Sequence, residues 1–296
     1  MKHNTIRPSQ DELTILEKRL AGHGSVSLGH EKSLNSIFKT HLASGGSRRR
    51  ALIALSTGKR LGLPDTVRFP IATAVELLHQ ASLIHDDVQD QDRLRRGQHA
   101  VWQIAGTSTA ICLGDDLIAS AFEELASIPS PFDVHLPRLI LMLSDGISAM
   151  AAGQTLDCQW MQETSITIEA YEKIVRHKSG PLLGLPVAMC SVLVGCTDSI
   201  VNKTLDAASS IGIAYQLADD LVDRNQDYGK RLNGYWVIAQ QTEPDQDSET
   251  MLRERFIWHL DQARQTAEKL PTLCLIAIEE LITALYSKYP SLQEVA

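Results

Sequence analysis

One arrangement of residues occurs twice in this chain and narrows what it can fold into. An apolar stretch ends in three aspartates at Ser82-Leu-Ile-His-Asp86-Asp87-Val-Gln-Asp90, and again at Tyr215-Gln-Leu-Ala-Asp219-Asp220-Leu-Val-Asp223. On a helix the outer aspartates of each group, four residues apart, share a face, and the middle one sits three before the last. Three carboxylates on one turn repel, so the arrangement is unfavourable unless a cation lies between them. Mg2+ takes oxygen ligands, usually one or two carboxylates together with substrate phosphates. A solvated acidic turn would explain one copy; two copies, each closing an apolar run that a loop does not need, point to paired metal sites. Asp86, Asp87, Asp90, Asp219, Asp220 and Asp223 are the expected ligands.

The apolar pattern is helical nearly everywhere. Ser9-Gln-Asp-Glu12 reads as a capping box opening an amphipathic helix. Further helices are expected at 34–42, from Ala51, at 71–85 with Pro70 near the first position, at 111–125 and at 136–160. Others are expected at 171–189 with an interruption at Lys178-Ser179-Gly180-Pro181, at 205–223, and from Met251 and Leu270; 241–250 reads as a loop. Strict alternation is scarce, and no dinucleotide fingerprint, nucleophile elbow or zinc spacing occurs. The expectation is all-α: one helical-bundle domain over residues 1–296.

A net charge of −8 argues against nucleic acid or an anionic membrane surface as partner, but leaves anionic small molecules open. Five scattered cysteines suit a reduced, cytoplasmic protein. Met1 to Gln10 has no apolar signal core, and the apolar stretch Gly180 to Cys196, broken by two prolines, is short for a membrane span.

Basic residues cluster near the acidic ones. Arg48-Arg49-Arg50 opens a helix, where the macrodipole disfavours cations unless an anion binds there. The bland reading is a solvated basic turn. His79 lies two turns above Asp86 on the same face. Arg93-Leu-Arg95-Arg96-Gly97 follows the first aspartate group; these residues either neutralise it or grip a diphosphate bidentately. Gln216 shares a face with Asp219, and Gly153-Gln154-x-x-Asp157 places two polar side chains three apart.

Together these motifs resemble the trans-isoprenyl diphosphate synthase (polyprenyl synthetase) family over roughly residues 40 to 240. Its two aspartate-rich motifs match the two groups, its Arg-Arg-Gly matches Arg95, Arg96 and Gly97, and its Gly-Gln-x-x-Asp matches Gly153, Gln154 and Asp157. Its Lys-Thr element appears as Lys178 and Ser179. Its early Gly-Lys-Arg-x-Arg motif is matched by Gly46 and Arg48, with Ser47 in place of Lys, which removes one positive charge. After Asp223 the loop is short and offers one lysine, Lys230.

The resemblance implies the isoprenoid synthase fold, a helical bundle in which the two groups face each other across a central cavity and hold three Mg2+ on an allylic diphosphate. It implies that Arg95, Lys178, Ser179 and Lys230 bind that diphosphate, and that Arg48, His79 and Arg96 bind isopentenyl diphosphate. The implied reaction is a head-to-tail condensation through an allylic cation, which the His177 carbonyl and Gln216 are candidates to stabilise, in a homodimeric enzyme. The growing product should run down the first helix, past Ser82, Ala81 and then Leu78. The small residues Ala81 and Ser82 favour geranylgeranyl diphosphate, with farnesyl or longer products as neighbours. A class I terpene cyclase and a non-catalytic prenyl-diphosphate-binding subunit are the rivals. The first needs no second diphosphate site, and the second would be expected to lose aspartates that are all present here.

Overall fold

The computed structural model describes residues 9–24, 33–160, 166–229, 232–242 and 247–292, and these are almost entirely helical. They form two compact units, Met1–Ile140 and Leu141–Ala296.

The first unit is organised on α4 (Asp65–Gln89), which packs against α3 (Arg49–Arg60) and α6 (Thr107–Ala126). An unbroken buried run from Val67 to Leu78 explains why this helix survives an internal Pro70. The helix starts five residues before Pro70, behind Pro64, so the proline is interior rather than at the first position. Its missing N–H costs about 3 kcal/mol, a loss that burial on all sides offsets. α1 (Gln10–Gly22) opens with the expected capping box, Ser9 and Glu12 each bonding the other's backbone N–H. α2 (Leu34–Ala43) follows. Near the lower end of α4, a Cβ on Gly114 of α6 would come within 2.0 Å of His85 Nε2, so a larger residue there would displace that ring.

Beyond α4 the chain makes a hairpin that the sparse alternation did not announce. β1 (Leu94–Arg95) pairs antiparallel with β2 (Gln98–His99), and the two residues between them, Arg96 and Gly97, both have positive φ. That is the two-residue turn whose twist matches its strands. α5 (Val101–Ala105) leads on, its Trp102 indole N–H donating to the Asp92 carbonyl at 2.7 Å.

The boundary between the units falls inside α7 (Leu136–Trp160). Among the described residues, the stretch Phe132–Trp160 alone is long and apolar enough to cross a membrane by length and composition.

In the second unit α8 (Ile168–Leu193) packs along α9 (Asp198–Asp227). α8 runs without a break through Lys178–Pro181, where an interruption was expected; Leu182 to Leu193 are buried throughout, and that burial outweighs the proline's missing bond. At its crossing with α9, a Cβ on Gly212 would lie 3.3 Å from the Gly180 backbone. α10 (Gly234–Gln241), α11 (Ser248–Ala267) and α12 (Thr272–Lys288) complete the unit. α10 occupies a stretch for which no helix was expected; of the loop expected at 241–250, residues 243–246 lie outside the described ones and α11 already begins at Ser248.

Candidate active site

In the first unit the aspartate group closes α4, with Asp90 as its C-cap. Carboxylates at the negative end of a helix dipole repel it as well as one another, which deepens the need for a cation. Asp86 and Asp90 are half-buried, whereas Asp87 is fully buried. The hairpin turns Arg95 back onto Asp87: its Nε donates to Oδ1 at 2.9 Å, and its Nη2 donates to the same oxygen. Asp87 Oδ2 is buried without a hydrogen-bond partner. Burial raises the Asp87 pKa, and the Arg95 bond and charge oppose that rise.

Four guanidinium groups gather beside this turn. Arg96, in a left-handed conformation, donates to the Gly45 carbonyl; a Cβ on Gly46 would sit 2.7 Å from its Nη1, so the glycine makes room for it. Arg50 Nη1 lies 3.0 Å from His79 Nε2. Burial, then Arg50, Arg96, Arg48 and His41, push the His79 pKa well below its ordinary value. A neutral ring that accepts from Arg50 at Nε2 carries its proton on Nδ1, and that nitrogen is buried without a partner. Burial, Arg48 and Arg95 likewise lower the Arg96 pKa. Arg96 thus sits among like charges, a position that an arriving anion would relieve.

Arg48 sits differently from the expectation. It is the N-cap of α3 at φ 47° and is buried, with its Nε 2.8 Å from Glu17, its Nη2 3.2 Å from the Leu42 carbonyl, and its Nη1 3.7 Å from buried Glu76. Glu76 in turn accepts from Gln80 at 2.6 Å, and Gln80 meets His41 at 3.0 Å. Arg48 therefore braces the loop, and Arg50 is the member of the run that reaches His79. Which of three adjacent arginines points where depends on the left-handed turn at Arg48, which composition does not reveal.

Leu78 and Ala81 are buried on α4 above the aspartates, and Ser82 folds its hydroxyl back onto the His79 carbonyl at 2.9 Å.

In the second unit the group lies in the last turns of α9. Asp219 and Asp223 are half-buried and Asp220 is buried. Asp220 has both oxygens engaged. Oδ1 accepts from Gln216 at 2.8 Å; Oδ2 accepts from the Tyr171 hydroxyl and the Gly234 N–H, both at 2.5 Å. Burial raises its pKa to about 7, against the pull of these donors. Tyr171 was not anticipated, nor was the Lys288 ammonium 2.8 Å from Asp219 Oδ1; neither lies near α9 in sequence.

Lys178 reaches Asp157 Oδ2 at 2.6 Å, joining two of the expected elements, and Ser179 beside it is half-buried. A Cβ on Gly153 would lie 2.5 Å from the Lys178 backbone nitrogen, so this glycine sets the approach of α7 to α8. Gln154 Oε1 is buried without a partner. Lys230 lies outside the described residues.

Among the described residues no three His, Cys, Asp or Glu side chains converge into a ready-made metal cage. The donor set nevertheless suits Mg2+: half-buried carboxylates four apart and a buried carboxylate oxygen lacking a partner are what an ion that completes its octahedron with substrate phosphates and water needs.

An all-α chain with two triple-aspartate turns, and with arginines gathered beside the first, carries the side-chain types that bind diphosphates and their metal ions. The chain belongs to the polyprenyl synthetase family, whose model matches residues 31–233. It is 34% identical over 235 residues to a farnesyl diphosphate synthase of Geobacillus stearothermophilus, covering 76% of this chain and 78% of that one. It is 29% identical over 191 residues to the octaprenyl diphosphate synthase of Escherichia coli (strain K12), covering 64% and 57%. The solved geranylgeranyl pyrophosphate synthetase of Geoglobus acetivorans shares the fold at a TM-score of 0.80 and 24% identity, over 93% of this chain and 98% of that one. The chain is accordingly a trans-prenyltransferase that makes prenyl diphosphates.

Proposed function

We propose that this chain is a Mg2+-dependent synthase, working as one catalytic domain, that condenses isopentenyl diphosphate with an allylic diphosphate to give geranylgeranyl diphosphate. The observation that carries the reading is the juxtaposition in the first unit of a triple-aspartate turn with the Arg50–His79–Arg96 cluster, which calls for cations and a second anion at one place.

Asp86, Asp87, Asp90, Asp219 and Asp223 would hold Mg2+, three ions by resemblance, together with oxygens of the allylic diphosphate. Asp220, the sixth expected ligand, is left out of this set because both its oxygens already accept from Gln216, Tyr171 and Gly234. Mg2+ supplies the positive charge that stabilises a departing diphosphate. Arg95 and Lys178 grip that diphosphate, exchanging Asp87 and Asp157 for its oxygens, while Ser179 and Lys230 flank it. Arg50, Arg96 and the His79 Nδ1–H hold isopentenyl diphosphate, with Arg48 bracing their loop. Gln216, whose amide nitrogen serves Asp220, offers its oxygen to the allylic cation. Apolar walls at Leu78 and Ala81 keep water from that cation. The alkene of isopentenyl diphosphate attacks it, and the proton lost passes to the released diphosphate, so no protein base is required.

The enzyme works in the cytoplasm as a homodimer without a membrane span; exposed Ile140 and Leu141 give α7 an apolar face for a second copy. Similarity to a farnesyl diphosphate synthase favours the fifteen-carbon product as the second reading.

Incubating the chain with Mg2+ and an allylic diphosphate, with and without isopentenyl diphosphate, tests the proposal. Chain extension only when both are present is expected; diphosphate release with a hydrocarbon product from the allylic substrate alone would establish a cyclase. Ala81→Phe should shorten the main product, and an unchanged length would remove α4 as the wall that sets it.

A further inference from the structure

α12 ends on Lys288, and Tyr289 is its C-cap. The Lys288 Nζ lies 2.8 Å from Asp219 Oδ1 and 2.7 Å from the Tyr215 hydroxyl. The same ammonium stands over the Tyr215 ring at 4.3 Å and over the Tyr289 ring at 4.6 Å. The Tyr289 hydroxyl donates to the very oxygen of Asp219 that Lys288 contacts. The two rings meet edge-on at 78°, with Tyr289 buried. A carboxylate on one side and two aromatic faces on the others make a cation site, filled here by a cation tethered to α12.

A carboxylate oxygen already bonded to an ammonium and a phenol must shed them before it can coordinate a metal. The ion pair is neither fully buried nor fully solvated, with the Lys288 and Asp219 side chains 34% and 28% exposed, so it is strong enough to matter and accessible enough to exchange.

We propose that Lys288 and Tyr289 are positioning residues for the second aspartate group: they hold the Asp219 carboxylate and compete with Mg2+ for it, so that the end of α12 sets the Mg2+ concentration at which this group loads. The inference rests on the assignment of Asp219 as a metal ligand.

The test is a thermal-melting titration of the full chain with Mg2+ in the presence of inorganic diphosphate, reading the Mg2+ concentration at half-maximal rise in Tm. Lys288→Met should lower it by about three- to tenfold, the scale of one partly exposed ion pair with cation–π contacts. Lys288→Arg should stay near the parent value. Tyr289→Phe, which keeps the ring and loses one donor, should lower the midpoint by about twofold, and decides the matter if Lys288→Met does not fold. A midpoint unchanged or raised in Lys288→Met, or in Tyr289→Phe where that variant decides, overturns the proposal. A parent chain whose Tm does not respond to Mg2+ removes the metal assignment itself, whereas a responsive parent with variants of unchanged or raised midpoint removes only the role of Lys288 and Tyr289.

Discussion

On α4 the middle carboxylate of the aspartate group, Asp87, is paired with a guanidinium from the hairpin and keeps one buried oxygen without a hydrogen bond. On α9 its counterpart, Asp220, gives both oxygens to neutral donors from α8, α9 and α10. The same three-residue spacing therefore has two kinds of support. A charged partner can leave Asp87 when a stronger anion arrives, so that carboxylate is available for exchange. Neutral donors fixed in three helices hold Asp220 permanently, which makes it a post on which α8, α9 and α10 meet. The outer residues, Asp86 with Asp90 and Asp219 with Asp223, stay half-buried at both places, and that is the part of the pattern the two groups share.

The largest effect expected from this comparison is on turnover. Asp86→Ala and Asp219→Ala should each lower kcat by about 10³-fold, the scale seen when one preorganised electrostatic contact to a developing charge is lost, while the melting curve shows a folded protein. If either variant keeps near-parental turnover in a product-release assay, the groups do not act together.

Stability separates the middle residues. Asp220→Ala strands the Tyr171 hydroxyl and the Gly234 N–H in the interior, which should cost about 3 kcal/mol in urea unfolding. Asp87→Ala strands a guanidinium that is 26% exposed and can reach water, so about 1 kcal/mol is expected. Equal losses would erase the distinction.

The units should also differ in their pH response. Burial pushes the His41 pKa down to about 4, so between that value and the ordinary 6.5 the unfolded chain binds a proton that the folded one does not. His41 therefore contributes stability that is present above pH 6.5 and is lost as pH falls toward 4, by about 3 kcal/mol at most. Asp220, raised to about 7, has the opposite sign: its contribution is full below about pH 4 and is lost as pH rises through 7. His41→Gln should flatten the acid side of the parent's stability–pH curve; a variant with the parent's acid slope would assign that slope elsewhere.

The smallest effect expected is from Arg95→Lys. It keeps the charge and loses the planar fork, so only about 0.3 kcal/mol of stability should go, with a larger rise in KM for the allylic diphosphate than fall in kcat. A fall confined to kcat would place Arg95 on the reaction rather than on binding.

Much of this was readable before any coordinates. Helical periodicity located nearly every long helix, and the two aspartate groups were found by their spacing alone. What stayed hidden depended on contacts between distant residues or on backbone signs. Pro70 looked like a helix start and Pro181 like an interruption because local rules penalise proline, yet burial along α4 and α8 carries both helices through. The two-residue strands beside Arg96 are too short to show a period. Arg48 and Arg50 are indistinguishable as letters; a positive φ at Arg48 sends one inward and the other to His79. Lys288 and Tyr289 lie 69 and 70 residues from Asp219, beyond the reach of any local pattern.

The difference between the middle carboxylates is tested most directly by the Mg2+ dependence of inorganic diphosphate binding, measured by calorimetry on Asp87→Asn and Asp220→Asn at a temperature where both are folded. Asp87→Asn should raise the Mg2+ concentration required several-fold, while Asp220→Asn should leave it at the parent value. A parent-like Asp87→Asn beside an Asp220→Asn that no longer takes up Mg2+ would contradict the account, because the carboxylate with both oxygens already bonded would then be the one that holds the metal.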